Sequence, residues 1–413
     1  MPHRTAIPSL LPVPRFTAPE EEAHLPLARR VFALRDLHFR DVKALGFDMD
    51  YTLSHYRSPE IDELAFRKAA RLLVQEKGYP AWMLDEHFDP GFAVRGLVLD
   101  GVRGNLLKLD RERQVVRATH GTHPMAREAI DACYGRRRLG AAAKGFRSVD
   151  TLFEIPESHF YAMLVDNLDR GRLPGKSYLG LFQDLRWAID TAHRNGDIKA
   201  EVLADRDFYI LRDPELPAAL DRWKRAGKCL FVVSNSDWNF TNGVLGHLLD
   251  GQDPARPRWQ DYFDLVVVSA RKPAFFEECN APEPLESPNA FQGGNAMWLE
   301  EHLGVFGEEI LYVGDHIYGD ILRSKKTVSW HTLLLIPELA GILERLEQQA
   351  EGMQELLRAE HARRQLEAHL ALLRDRLHRN REHHRLLAPR ISPEALQALD
   401  REATQIRDGI DLT

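Results

Sequence analysis

Apolar residues along the chain gather in short, nearly unbroken runs separated by longer stretches of helical periodicity. Lys43-Ala-Leu-Gly-Phe47, Gly227-Lys-Cys-Leu-Phe-Val-Val233, Phe263-Asp-Leu-Val-Val-Val268, Glu309-Ile-Leu-Tyr-Val313 and Thr332-Leu-Leu-Leu-Ile336 are too short for helices and predict five strands. Strands apolar on both faces are covered on both sides, and their alternation with helical stretches predicts a parallel sheet, hence an α/β fold. Far more chain separates Phe47 from Gly227 than a crossover helix needs. It carries its own helical pattern, with Ile61, Leu64, Ala65, Lys68, Ala69, Leu72 and Leu73 at mostly helical spacing. The expected division is an N-terminal arm over 1–25, a catalytic core from 26–54 and 216–337, an inserted cap domain over 55–215, and a C-terminal helical region over 338–413. In that last region Leu366, Leu370, Leu373 and Leu377 form a stripe at spacing 4, 3, 4, which suits an antiparallel helical hairpin or a coiled-coil contact.

Composition narrows the class. A chain of 413 residues suggests two or three domains, and 44% apolar residues supply a sizeable core. With 55 basic and 62 acidic residues the net charge is −7, which argues against a protein that coats nucleic acid. No window offers the uninterrupted apolar stretch of a membrane span. Prolines at 2, 8, 12 and 14 interrupt the stretch a signal peptide would need. Cys133, Cys229 and Cys279 form no CxxC pair, which excludes a disulfide framework, suits a reducing cytoplasm and predicts buried, inert thiols.

In open parallel sheets ligands bind beyond the carboxyl ends of the strands. Asp48, Asp50 and Thr52 follow the first strand, and Ser234, Asn235, Ser236 and Asp237 the second. Lys272 follows the third, and Gly314-Asp315-His316 ends the fourth, with Asp320 five residues on. Carboxylates gathered at one sheet edge repel one another unless a cation lies among them, and oxygen ligands suit Mg²⁺. A hydroxyl, an amide and a lysine beside them supply donors for an anion, so the set points to phosphoryl transfer. In the Asp-x-Asp pair one carboxylate is placed to attack phosphorus. The other can protonate the leaving oxygen and later deprotonate water.

These residues resemble the four motifs of the haloacid-dehalogenase-like (HAD) hydrolase superfamily. The strings GFDMDYTL, VVSNSDW, ARKPAFF and YVGDHIYGDILRSKK are similar to those of the cytosolic purine 5′-nucleotidase family, over about residues 30 to 340. The resemblance implies a HAD-like Rossmannoid parallel core with a large inserted cap and a C-terminal helical extension. It implies that Asp48 is the nucleophile, that Asp50 is the general acid and base, and that Asp48, Asp50 (through its backbone carbonyl) and Asp315 hold Mg²⁺. Thr52, Ser234, Asn235 and Lys272 would then serve the phosphoryl group, with Asp320 a carboxylate behind the metal. His316, Ser236 and Asp237 are read as structural.

In the helix around Gly180–Arg194, Leu181, Leu185, Ala188 and Ala192 make an apolar stripe, while Arg186, Asp190 and His193 make a polar one. Taken alone, Arg186 and Asp190 read as a surface ion pair. The resemblance instead places these three, with Lys199 and Phe153, around the substrate's base and ribose. Phe153 and His193 would sandwich the base. Departures are Arg194, where the family has a tyrosine, and Asp150, where it has an asparagine tied to effector binding. Tyr318 and Lys326 match remaining effector positions, but these departures and the missing acidic tail count against nucleotide activation. His120-Gly-Thr-His123 reads as a loop and Gly293-Gly-Asn295 as a turn and helix cap. The basic stretch 358–390 reads as a solvated helix face or a contact between copies of the chain. The expected activity is Mg²⁺-dependent hydrolysis of purine nucleoside 5′-monophosphates, IMP and GMP above all, with phosphotransfer to a nucleoside as a variation. The rivals are a phosphatase for another small ester, such as a sugar phosphate, and a silent scaffold.

Overall fold

The computed structural model describes residues 25–34, 37–135, 138–139, 145–386, 397–398 and 401, so the expected arm lies almost wholly outside the described residues. Strand β1 (Ala44–Phe47) is followed by a short β2 (His55–Tyr56) and the helix Glu60–Lys77. Next come β3 (Val98–Asp100), β4 (Asn105–Leu109), β5 (Val115–His120), β6 (His123–Pro124) and β7 (Phe146–Ser148). Helices Ile155–Asp169, Tyr178–Arg194 and Asp197–Ala204 then lead to β8 (Ile210–Leu211). The remaining strands are β9 (Cys229–Val233), β10 (Leu265–Val268), β11 (Pro282–Pro284), β12 (Ala290–Gly293), β13 (Ile310–Gly314) and β14 (His331–Leu334).

All five strands expected from the apolar runs are present and adjacent, in the sheet order β11-β12-β10-β9-β1-β13-β14. Every pairing in it is parallel except β11 with β12. Alternate residues enter two separate cores. Leu45, Phe47, Leu230, Val232 and Val266 join one, and Ala44, Phe231, Val233, Leu265, Val267 and Tyr312 join the other. That is the two-faced burial the unbroken apolar runs require. Gly46 in β1 lies opposite Phe231 of β9 and Tyr312 of β13. A Cβ there would overlap the Phe231 ring and lie 2.7 Å from that of Tyr312, so only glycine lets both rings cross the central strand.

The segment between β1 and β9 adds a second sheet of order β6-β5-β4-β3-β7, all antiparallel. Sequence periodicity misses it because its strands are only two to six residues long. The helices are as expected: Leu181, Leu185 and Ala188 are buried against Phe66, Leu73, Phe160 and Leu164. The antiparallel pair β2–β8 forms where the segment leaves and rejoins the parallel sheet. His120 and His123 sit opposite each other in the β5–β6 hairpin rather than in an open loop. The ring nitrogens of His120 face Asn105 Oδ1 at 2.7 Å and Asp169 Oδ2 at 2.9 Å. Asn295 caps the helix Ala296–Leu303, accepting from Trp298 N.

The chain divides into two compact units, Asp36–Leu335 and the described residues on either side of it. The second unit contains the helices Pro337–Gln348 and Ala350–Leu386. Leu370 and Leu373 are buried, and the whole leucine stripe lies on one continuous helix. No helix among the described residues is long and apolar enough to cross a membrane.

Of the thiols expected to be buried, only Cys229 is sheltered; Cys133 and Cys279 are exposed. Burial, aided by the neighbouring Asp264 carboxylate, pushes the Cys229 thiol up to about 12. Titration with a disulfide reagent at pH 8 is expected to show two prompt thiols and one slower by about a thousandfold, released on unfolding. Gly46→Ala is expected to destabilise the fold by about 1–3 kcal/mol through overpacking, measured by urea unfolding.

Candidate functional site

The site forms at the carboxyl end of the parallel sheet. The Asp48 backbone N–H still donates to Val313 O at 2.9 Å, so this residue is fixed by the last rung of the sheet. The chain then turns sharply, with Leu53 and Ser54 N–H groups both bonded to Met49 O and Tyr51 held at φ 55°. Ser236 N–H donates to Ser234 Oγ at 3.0 Å after β9. The Asn235 amide bonds both polar atoms of the Lys272 backbone, accepting from its N–H at 2.6 Å and donating to its carbonyl at 3.2 Å.

Lys272 is the centre of the arrangement. Its Nζ lies 2.8 Å from Asp48 Oδ1, 2.7 Å from Asp320 Oδ1 and 3.0 Å from the Tyr312 hydroxyl. The Tyr312 hydroxyl in turn donates to Val233 O at 3.0 Å. All three ammonium hydrogens are therefore used, in a position only 4% exposed. Burial alone would push this lysine down; the Asp320 and Asp48 carboxylates instead carry it well above its ordinary value. Asp320 also accepts from His316 N–H at 3.1 Å. It packs so closely on Gly314 that a Cβ there would lie 2.5 Å from its carboxylate.

Asp48, Asp315 and Asp320 each offer an oxygen to one common point, these atoms all lying within 4.8 Å of one another. Burial raises Asp48 well above its ordinary value, against the pull of Lys272. Burial, reinforced by the Asp320 charge, takes Asp315 up to about 7. Carboxylates this desolvated, close together and oxygen-only fit a small hard divalent cation such as Mg²⁺. Asp50 turns its carboxylate elsewhere. Its oxygens accept from the Tyr56 hydroxyl and, at 2.9 Å, from Ser236 Oγ, while burial raises its pKa. Thr52 Oγ1 is buried without a partner, an orphaned donor of the kind an anion satisfies.

The residues expected around a base are arranged differently. Arg186 is held by acids: its Nε donates to Asp190 at 3.0 Å, and another nitrogen donates to the almost fully buried Glu157 at 2.6 Å. Phe153 and His193 meet edge to face, ring centres 5.8 Å apart and planes at 81°. Phe153 also packs on Tyr51, at 4.8 Å. Lys199 reaches back to Asp237 Oδ2 at 2.7 Å, beside the loop that carries Ser234 and Asn235. Burial, with the Arg186 and Lys199 charges, lowers the His193 pKa. Tyr318 and Lys326 are exposed, and the Asp150 backbone N–H donates to Glu154.

Sequence reading missed Tyr56, Arg95, Glu157 and Tyr312, and took Ser236 for a purely structural residue although its hydroxyl donates to Asp50. Tyr56 follows Asp50 by six positions and Arg95 precedes Asp315 by 220, separations that carry no local signal.

A parallel sheet with Asp-x-Asp after its central strand, a hydroxyl and amide after β9, a lysine after β10 and two acids after β13 defines the HAD-like class of fold. Within that class the chain belongs to the 5′ nucleotidase family, whose sequence profile matches residues 31–412. It is similar to a 5′-nucleotidase domain-containing protein of Dictyostelium discoideum, 26% identical over 329 residues, covering 75% of this chain and 55% of that protein. The chain thus spans about half the length of that curated relative. Among solved structures it matches a predicted phosphoglycolate phosphatase from Haemophilus somnus, at 13% identity and TM-score 0.33, over 71% of this chain and 85% of that one. It also matches a HAD-superfamily hydrolase of subfamily IA from Geobacter sulfurreducens, at 16% identity and TM-score 0.29, over 73% and 97%.

Replacing Lys272 by methionine leaves Asp48 and Asp320 buried without their shared cation. Urea unfolding at pH 7 is expected to show a loss of about 3–5 kcal/mol.

Proposed function

We propose that this protein is a Mg²⁺-dependent 5′-nucleotidase acting on purine nucleoside 5′-monophosphates, with IMP and GMP preferred, through an aspartyl-phosphate on Asp48. The observation that carries this reading is the joining of Asp48, Lys272 and Asp320, with Asp315 beside them, in a chain of the 5′ nucleotidase family. Mg²⁺ would be held by the carboxylates of Asp48 and Asp315 and the backbone carbonyl of Asp50, with Asp320 behind them or as a further ligand. When bound it neutralises phosphate charge and carboxylate repulsion.

The chain's own groups divide the remaining work. Asp48 Oδ1 accepts from Lys272 and from Met49 N–H, which leaves Oδ2 to attack phosphorus. As that bond forms, the bond from phosphorus to the nucleoside 5′ oxygen breaks. Asp50, whose pKa burial raises, serves as the acid that gives a proton to the departing oxygen. Water then attacks phosphorus, Asp50 takes up a proton from it, and the bond to Asp48 breaks to release phosphate. A nucleoside hydroxyl in place of water gives phosphotransfer by the same route. Ser234 and Thr52 supply donors to the phosphoryl oxygens, Asn235 supplies its second amide N–H, and the Lys272 charge offsets that of the phosphoryl group and of Asp48. We assign residues 55–215 the part of a cap that reads the nucleoside, with Arg186 presented by Asp190 and Glu157, and Phe153, His193 and Lys199 lining the approach.

A second reading, a phosphatase for another small ester such as a sugar phosphate, is favoured by the engagement of Arg186 with acids and by the edge-to-face Phe153–His193 pair. Phosphate release from IMP, GMP, AMP, UMP and sugar phosphates, with and without a nucleoside acceptor, separates the two. Purine monophosphates are expected to lead by about tenfold or more, and Arg186→Ala to raise their KM by a similar factor without changing sugar-phosphate release. Equal rates across the panel would instead establish the second reading. Asp48→Asn is expected to lower turnover by about a thousandfold or more while leaving the fold intact; normal turnover by that variant overturns the covalent route.

A further inference from the structure

The acids of the site outnumber the cation described so far. Lys272 contacts Asp48 and Asp320 but not Asp315. Asp315 is met by Arg95, from the segment inserted between β1 and β9. Its guanidinium donates to the Asp315 backbone carbonyl at 2.8 Å, and the same nitrogen stands 3.8 Å from the Asp315 carboxylate. The pair is well shielded, with side-chain exposures of 14% and 7%. Nor is the arginine on a loose tether. Gly96 N–H donates to Val149 O and Val149 N–H to Leu97 O, each at 2.8 Å, so the backbone beside Arg95 is paired like a strand.

A guanidinium held this way does two things: its hydrogen bond fixes the loop after β13, and its charge adds to that of Lys272 at a carboxylate Lys272 does not touch. A buried acid without a counter-ion is costly, and like charges a few ångströms apart raise that cost. We propose that Arg95 is a positioning residue, a resident counter-ion that touches Asp315 where Lys272 does not, and that it keeps the carboxylate cluster assembled whenever no divalent cation lies within it. The inserted segment would then contribute to the integrity of the metal site as well as to substrate recognition. The proposal rests on the reading that this cluster binds Mg²⁺.

Thermal unfolding of the full chain tests it, in chelator and in saturating Mg²⁺, for the parent, Arg95→Gln and Arg95→Lys. Glutamine keeps an N–H for the Asp315 carbonyl but removes the charge; lysine keeps the charge. Because Mg²⁺ binds the folded state and takes over the compensation, the Mg²⁺-induced rise in Tm is expected to be about twice as large in Arg95→Gln as in the parent. Arg95→Lys is expected to match the parent. An Arg95→Gln deficit of equal size with and without Mg²⁺ reveals a packing role alone and overturns the proposal, as does a variant as stable as the parent in chelator. A parent whose Tm is indifferent to Mg²⁺ overturns the metal reading itself, and the two failures are thereby distinguished.

Discussion

A single ammonium group, placed where water cannot reach it, ties four separate stretches of chain together. Lys272 joins the acid after β1, the acid beyond β13 and a tyrosine within β13, while its own backbone is gripped by the amide that follows β9. Removing such a cation from water is unfavourable, and two carboxylates and a hydroxyl must compensate with good geometry. The requirement works backwards through the fold. Tyr312 must lie flat enough to reach the lysine, which it does because β1 carries Gly46 at the crossing point. A backbone feature in the middle of the sheet thus sets the position of a charge at its edge.

The same charges define what the site can bind. With Lys272 engaged on two carboxylates, the remaining negative charge has no water to spread into, and burial raises the pKa of Asp48, Asp50 and Asp315. A site in that condition attracts a cation and, once neutralised, an anion. On the proposed reading, the order of binding that phosphoryl transfer demands follows from these electrostatics. The division between the two neighbouring aspartates follows from hydrogen bonding: Asp48 faces the lysine, whereas Asp50 is held by Tyr56 and Ser236.

Much of this could be read from the chain alone, because strands buried on both faces leave an unbroken apolar signature and the chemistry stands directly after them. Asp48, Lys272, Asp315 and Asp320 were legible for that reason. The antiparallel sheet of the insertion was not, since strands of two to six residues carry too little alternation to be recognised. Arg95, Tyr56 and Tyr312 stayed hidden because their partners are distant in sequence or their types are unremarkable in a core. Arg186 and Phe153 were singled out only through the family resemblance. Their partners, Glu157 and Tyr51, were set by packing that periodicity cannot express.

The contact between Gly314 and Asp320 makes those two positions interdependent. Any side chain introduced at 314 must evict the carboxylate, and an evicted carboxylate abandons Lys272, so the first change removes the benefit of keeping the second residue. Loss of the acid alone does not lift the bar, because the Cβ of residue 320 itself stands 2.5 Å from where a Cβ at 314 would lie. The glycine is therefore required by the backbone placement of residue 320 as much as by its charge, and the two positions can change only together.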